Sequence, residues 1–257
     1  MDDVKFLLKF GRSEHINSFI DGKLYCSNAE TFWGIEDRLK LRGQGDRLEA
    51  SSMIFAKNVL IQSHDDNSDV ARIGRFNGLV RYEPAKKIPV FCLFAIHNNE
   101  CYIDIDGNLK FNLADRTKQV IREHFPNADS VAIISNPSQF LSDIDSSIGY
   151  EIKHELVHYY NIYKGFETND GEQAMDMDYM RYLTQDVLPI VINGTTQYSF
   201  CADYVYRALL CKDVYFEDEQ EYRIVLPTET IDNGKTYPVK YREEIHMKSI
   251  DNFFAEV

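Results

Sequence analysis

Two short motifs carry residue types that could do chemistry. His154-Glu155-Leu156-Val157-His158 is a literal H-E-x-x-H. On a helix its imidazoles would share one face and could hold zinc, with Glu155 as general base on the bound water. A zinc-dependent hydrolase is therefore one function to weigh. The second motif, Glu219-Gln220-Glu221-Tyr222-Arg223-Ile224-Val225-Leu226, places an E-x-E at the mouth of a β-forming run. Its carboxylates are either acids facing a cleft or edge-strand charges that block sheet pairing. Arg223 can pair with either of them as a structural salt bridge.

The zinc reading lacks support around the motif. The metzincin continuation fails: Asn161 stands where Gly belongs and Lys164 where the third His belongs, while Glu167 and Glu172 fall in an acidic loop. In a helix, Ile152, Leu156, Tyr159 and Tyr163 would form the apolar stripe and leave both histidines on the wetter side. The segment is also dense in β-formers (Val157, Tyr159, Tyr160, Ile162, Tyr163). In a strand the two histidines would stand about 13 Å apart, too far for one tetrahedral ion. The expectation is a strand and no metal.

The elements that must position these residues follow from periodicity and punctuation. Strands are expected at Val4–Phe10, Leu24–Cys26, Met53–Gln62, Pro89–Ile96, Ser130–Ile134 and Glu221–Pro227, with Tyr237–Tyr241 in the tail left unassigned. Asp106-Gly107-Asn108 predicts a hairpin between Cys101–Ile105 and Leu109–Leu113, and His64–Asp69 a turn. Helices are expected at Glu14–Ile20 with Ser13 as cap, Ala114–His124, Pro137–Ile144, Met177–Asp186 and Ser199–Leu210, before a short closing segment Ile250–Phe254. Strands and helices alternate without a βαβα rhythm and without a linker or repeat. A single α+β domain over residues 1–257 is expected, its sheet mixed and largely antiparallel.

Composition bounds the partners. Hydrophobic residues make up 44% and charged residues 27% of the 257, as in a chain with a packed core. The longest apolar run, Val90–Ile96, is seven residues, against the ~20 a membrane-spanning helix needs. Five widely spaced cysteines without a CxxC pair are a poor disulfide framework, and the acidic start MDDVKF shows no leader. A cytoplasmic protein with no membrane partner is expected. The net charge of −13 excludes broad polyanion binding. Arg38, Lys40, Arg42 and Arg47 with one acid, Asp46, form a local exception: a solvated loop or a grip on a phosphate-bearing ligand.

The two ends of the chain hold a quieter constellation. Lys9-Phe10-Gly11-Arg12-Ser13 ends the first strand, and a short helix, Gly22 and Leu24-Tyr25-Cys26-Ser27-Asn28 follow, then Phe32 and Trp33; the E-x-E lies near the other end. This strand–helix–Gly–strand opening with a late Glu resembles the ADP-ribosyltransferase toxins of bacterial toxin–antitoxin and phage-defence systems. The segments "G-K-L-Y", "R-G-x-G-D-R-L-E" and "E-x-E-Y-R-I" are also similar to a bacterial domain-of-unknown-function family found in defence loci. The likeness is clearest at residues 5–50 and 150–227.

The resemblance implies an ADP-ribosyltransferase-like split sheet with flanking helices, and NAD as substrate. The ribose–nicotinamide bond breaks through a cation-like state, which an anion in a dry site stabilises. Glu221 or Glu219 would supply that anion and orient the acceptor. Gly11 would let backbone approach the nicotinamide amide, and Tyr25 or Phe32 would stack on its ring. Arg12 and the Arg42/Arg47 loop would meet the pyrophosphate, Lys9 beside Gly11 would be a further cofactor contact, and Ser27, or Thr31 in its place, would be the hydroxyl of the middle motif. Phe10 before Gly11 departs from the usual His or Arg. The implied function is transfer of ADP-ribose to a protein, RNA or DNA acceptor by an anti-phage effector, with a neutralising antitoxin or chaperone. A non-catalytic binding or sensor module of a defence system is the remaining alternative.

Overall fold

The computed structural model describes residues 3–39, 46, 48–63, 68–162, 166–167, 173–174, 177–192, 194–197, 199 and 201–257. In chain order the first strands are β1 (Val4–Gly11), β2 (Lys23–Cys26), β3 (Ser51–Gln62), β4 (Asp69–Arg81), β5 (Val90–His97), β6 (Cys101–Ile103), β7 (Leu109–Phe111) and β8 (Ser130–Ile134). Then come β9 (Lys153–Leu156), β10 (His158–Tyr160), β11 (Phe166–Glu167), β12 (Gln173–Ala174), β13 (Ile190–Ile192) and β14 (Thr195–Gln197). The last are β15 (Cys211–Asp213), β16 (Glu221–Val225), β17 (Lys235–Pro238) and β18 (His246–Ser249). Helices are α1 (Ser13–Ile20), α2 (Ala29–Leu39), α3 (Asp115–His124), α4 (Pro137–Ser147), α5 (Met177–Thr184) and α6 (Ile250–Glu256). The fold is mixed α+β. Its six-stranded sheet, in the order β18-β8-β1-β5-β16-β9, is antiparallel at every pairing.

The apolar run of β1 is nearly continuous because both faces of the sheet are covered. Successive side chains point to opposite faces. Leu7 joins Phe91, Leu93, Ala132 and Ile224 under Ile16 and Phe19 of α1 and Phe140 and Ile144 of α4. Phe6, Leu8 and Phe10 join Phe94, Ile96 and Val131 under Ile121 of α3 and Phe253 of α6. A third cluster, around Trp33, Tyr179, Val205 and Leu209, packs beside Val90 and Val225. Substituting one of these fully buried aliphatics by Ala would cost about 2–5 kcal/mol.

The central strands do not pair along their whole length. β1 and β5 pair from Val4↔His97 to Leu8↔Phe94, with a register shift between Val4 and Phe6. Beyond that point β1 continues to Gly11 against β8 alone, while β5 runs back to Val90 against β16. Val90 also exchanges backbone hydrogen bonds of 2.9 and 2.8 Å with Ser27, just after β2. The two strands thus part after Leu8 and Phe94, and a cavity opens between them.

Two elements depart from the sequence reading, and the expected hairpin forms. Ser199–Leu210 is not one α-helix: 3-10 turns span Ala202–Leu210 and break at Tyr204, whose φ of −109° and ψ of 15° are non-helical. β4, thirteen residues long, is a strand that residues 69–81 did not announce, because its apolar residues are interrupted by Arg and Gly and its face is mostly exposed. The 106–108 hairpin forms, with Asp104 accepting from the Asp106 and Asn108 amides at 2.9 Å and Gly107 at φ 83°. No helix among the described residues is long and apolar enough to cross a membrane.

Candidate active site

A cavity of about 370 Å3 lies where β1 and β5 part. Leu8, Lys9 and Phe10 form one lip and residues 90–94 the other, with Tyr25, Ser27 and Phe32 across the opening. Its walls are rich in aromatic side chains, Phe125 among them. Its polar side is built from Asp46, Glu49, His124, Lys212, Glu219, Glu221 and Arg223.

Strand register explains why charged groups gather here. Glu221 stands opposite Phe94 and Arg223 opposite Cys92, so all four share the sheet face that carries Leu8 and Phe10. Tyr222 and Ile224 take the other face and join the α1/α4 core. The charges are buried and paired. Arg223 Nε donates to Glu221 Oε1 at 2.8 Å, and its two Nη atoms meet Glu49 Oε1 and Oε2 at 2.5 and 2.9 Å. Arg223 also donates to the Leu209 carbonyl. Lys212 bridges Glu219 and, at 3.1 Å, Glu221. Glu219 in turn is bonded to His124 Nδ1 at 2.6 Å.

Burial alone would raise the Glu221 carboxyl, but Arg223 and Lys212 overcome it and hold the group below the ordinary carboxylate range. Glu49 goes the other way: desolvation outweighs its Arg223 bonds and pushes it up. Both carboxylates share one guanidinium, and Glu221 has the second cation, so Glu221 is the firmer anion. Glu221 Oε2 takes Lys212 as well as a 3.2 Å bond from Arg223 Nη2. A carboxylate has about four lone-pair sites, so Glu221 is nearly saturated, whereas each Glu219 oxygen has one partner.

Asp46 differs from the rest. It is buried, its Oδ1 accepts from the Leu48 amide at 2.8 Å, and its Oδ2 has no partner among the described residues. Desolvation, reinforced by Glu49, pushes its carboxyl up to about 7. Lys9 is the cation of the opposite lip. Its Nζ donates to the Cys92 carbonyl at 2.7 Å and lies 4.5 Å from the Phe91 ring centroid. Burial lowers its pKa despite the pull of Cys92 and Glu221.

Of the residues singled out from sequence, Lys9, Tyr25, Ser27, Phe32, Glu219 and Glu221 line this one cavity. Gly11 and Arg12 are not among the residues that line it. Gly11 pairs with Ser130 at the far end of β1. Arg12 precedes α1, where its carbonyl accepts from His15 and Ile16 and its side chain is exposed. Thr31 does not replace Ser27, since its hydroxyl donates to Asn28 Oδ1 at 2.9 Å. Arg42 and Arg47 lie outside the described residues. Sequence reading passed over His124, Glu49 and Lys212 as site residues. The one available signal was a charge inside an apolar stretch, as in Leu48-Glu49-Ala50 and Leu210-Cys211-Lys212.

The H-E-x-x-H is extended, as its β-formers predict. His154 and Glu155 lie on β9 and therefore on opposite sheet faces, and His158 starts β10. His154 Nδ1 is bonded to the Tyr222 hydroxyl at 2.9 Å, on the α1/α4 side. Glu155 accepts from the Tyr182 hydroxyl, with the His158 ring 4.2 Å from that of Tyr182. This arrangement does not build the shared imidazole face of a zinc hydrolase, and no group of three His, Cys, Asp or Glu among the described residues suits a metal. No protein-family model matches the chain, and neither a curated protein nor a solved structure matches it.

Proposed function

We propose that the chain binds NAD in this cavity and transfers its ADP-ribose unit to a macromolecular acceptor, as an ADP-ribosyltransferase-like effector. One observation carries the reading: Lys9, Tyr25, Ser27 and Phe32 from the first 32 residues meet Glu219 and Glu221 across one aromatic-walled cavity. The parting of β1 from β5 suits the split sheet that this reading entails. Flat aromatic walls favour a planar heterocycle such as nicotinamide. Glu219, with acceptor capacity left, is the carboxylate suited to the ribose and its developing positive charge. Glu221 is its support, keeping Lys212 and Arg223 in place. Anti-phage defence, with a neutralising antitoxin or chaperone, remains the setting this activity suits.

The test is incubation of the purified protein, alone and with cell lysate, with NAD labelled in the adenine or the nicotinamide ring. Nicotinamide release together with adenine label on protein, RNA or DNA is expected, and Glu219→Gln should lose both. Intact NAD in every arm would end the reading. The saturation of Glu221 favours one second reading, a binding or sensor module that holds the same ligand without turnover. Tight NAD binding with no nicotinamide release would select it.

A further inference from the structure

Asp46 is the one acid in the basic window 38–47, and the NAD reading leaves it without a role. It lines the cavity, it is buried to 4% exposure, and Oδ2 has no hydrogen-bond partner among the described residues. A buried carboxylate oxygen without a donor costs free energy. Such a site persists in a cavity wall most simply when a ligand supplies the missing group.

We propose that Asp46 is the acid–base residue of this cavity, taking the acceptor's proton through Oδ2 as ADP-ribose is transferred. The inference rests on the NAD reading. In the step, the bond between the ribose anomeric carbon and the nicotinamide nitrogen breaks, and its electron pair leaves with nicotinamide. The acceptor's oxygen or nitrogen forms the new bond to that carbon. Its proton passes to Asp46, so charge and atoms balance with no further reactant.

The other charged groups cannot serve as well. Glu49 is held on both oxygens by Arg223 and Glu221 by Arg223 and Lys212, while Glu219, bonded to Lys212 and His124, has its remaining capacity turned to the ribose. Lys212 of β15, Arg223 of β16 and Glu49 on its own segment are the charges that act on Asp46. Desolvation, reinforced by Glu49, keeps its proton affinity near neutrality, where an acid–base group transfers protons best.

The experiment compares wild type, Asp46→Asn and Asp46→Glu for nicotinamide release and for NAD binding by calorimetry, with thermal unfolding as the check on folding. The Asn variant keeps the shape and removes a buried acid, so it should fold. Expected is a loss of nicotinamide release of about 100-fold or more in Asp46→Asn, with NAD affinity kept within about threefold and partial recovery in Asp46→Glu. Turnover in Asp46→Asn within about twofold of wild type would overturn the assignment and leave the NAD reading standing. Loss of NAD binding in Asp46→Asn would also overturn it, making Asp46 a binding contact. A wild type that neither binds nor cleaves NAD would remove the reading and the assignment together.

Discussion

Arg223 and Glu49, far apart in the chain, face each other as a two-pronged ion pair with Nη–Oε distances of 2.5 and 2.9 Å, both side chains almost completely buried. The same guanidinium holds Glu221. Taking charges out of water is costly, so this pair need not add net stability. Removing one partner is another matter, because the remaining charges stay buried. Arg223→Met is expected to destabilise the protein by about 3–5 kcal/mol in urea unfolding, since Glu49 and Glu221 both lose their shared cation. Arg223→Lys should recover little of it, because an ammonium cannot span both carboxylates in that fork geometry. A Lys variant as stable as wild type would refute the structural role of the pair.

The two carboxylates of the E-x-E should separate into different phenotypes. Glu221→Gln is expected to weaken the fold, since it strips Arg223 and Lys212 of a shared anion. Glu219→Gln leaves Lys212 still paired with Glu221, so its cost should be smaller and its effect should fall on nicotinamide release. The acid limb follows from the sign of the Glu221 shift. Its folded carboxyl is held below the usual range, so it contributes stability above the unfolded value and loses it as pH falls through the acid range. Wild type should therefore lose stability more steeply than Glu221→Gln on acidification below about pH 4. Parallel curves would contradict this.

Most of the architecture was legible because burial leaves a period. β1, β5, β8 and β16 announced themselves by apolar density and by their bounding turns, and His154–Tyr160 by its β-formers. β4 was not legible, because a mostly exposed hairpin strand keeps too few apolar residues for period two to register. The site was half legible. Types that do chemistry near strand ends, Glu219, Glu221, Tyr25 and Lys9, drew notice and met in space. His124, Glu49 and Lys212 did not, since their role depends on which distant charges register and packing bring within 3 Å. Gly11 was read as a cofactor contact when its neighbours are β8 and Ile16. A glycine at a strand end carries no signal of which side a cavity lies on.

Two glycines offer a contrast between backbone and side-chain obstacles. Gly22 has φ 82°, and an added Cβ would stand 2.1 Å from the Val239 carbonyl oxygen, which a backbone cannot easily move. The Val239 amide also donates to the Gly22 carbonyl at 2.7 Å, tying β2 to the residues after β17. Gly22→Ala is expected to cost about 3 kcal/mol or more. At Gly234 the obstacle is the Tyr25 ring, 1.8 Å from an added Cβ at its hydroxyl. Tyr25 is 58% exposed, so the ring can swing aside. Gly234→Ala should change stability by no more than about 1 kcal/mol and, on the proposed function, should weaken NAD binding, as Tyr25→Ala should. Unchanged affinity in both variants would remove Tyr25 from the site.

Asp46 makes the stability of the protein depend on pH in the direction opposite to Glu221. Its folded carboxyl is pushed up to about 7 by desolvation and Glu49, from an ordinary value of 3.8. The folded state therefore holds this proton more tightly than the unfolded chain. The stabilisation is fully present below 3.8 and is lost as pH rises through about 7. Ionised Asp46 at alkaline pH is a buried charge beside Glu49, with Lys212 and Arg223 already committed to other carboxylates. Asparagine at this position carries no such charge. Asp46→Asn should then raise the unfolding temperature relative to wild type at pH 8 and leave a smaller difference at pH 5. The magnitude at pH 8 should be of the order of 1–3 kcal/mol. Unfolding temperatures of the two proteins across that range decide it. A difference that is the same at both pH values would mean that Asp46 titrates as an ordinary, hydrated carboxylate, and its place in the buried wall would have to be given up.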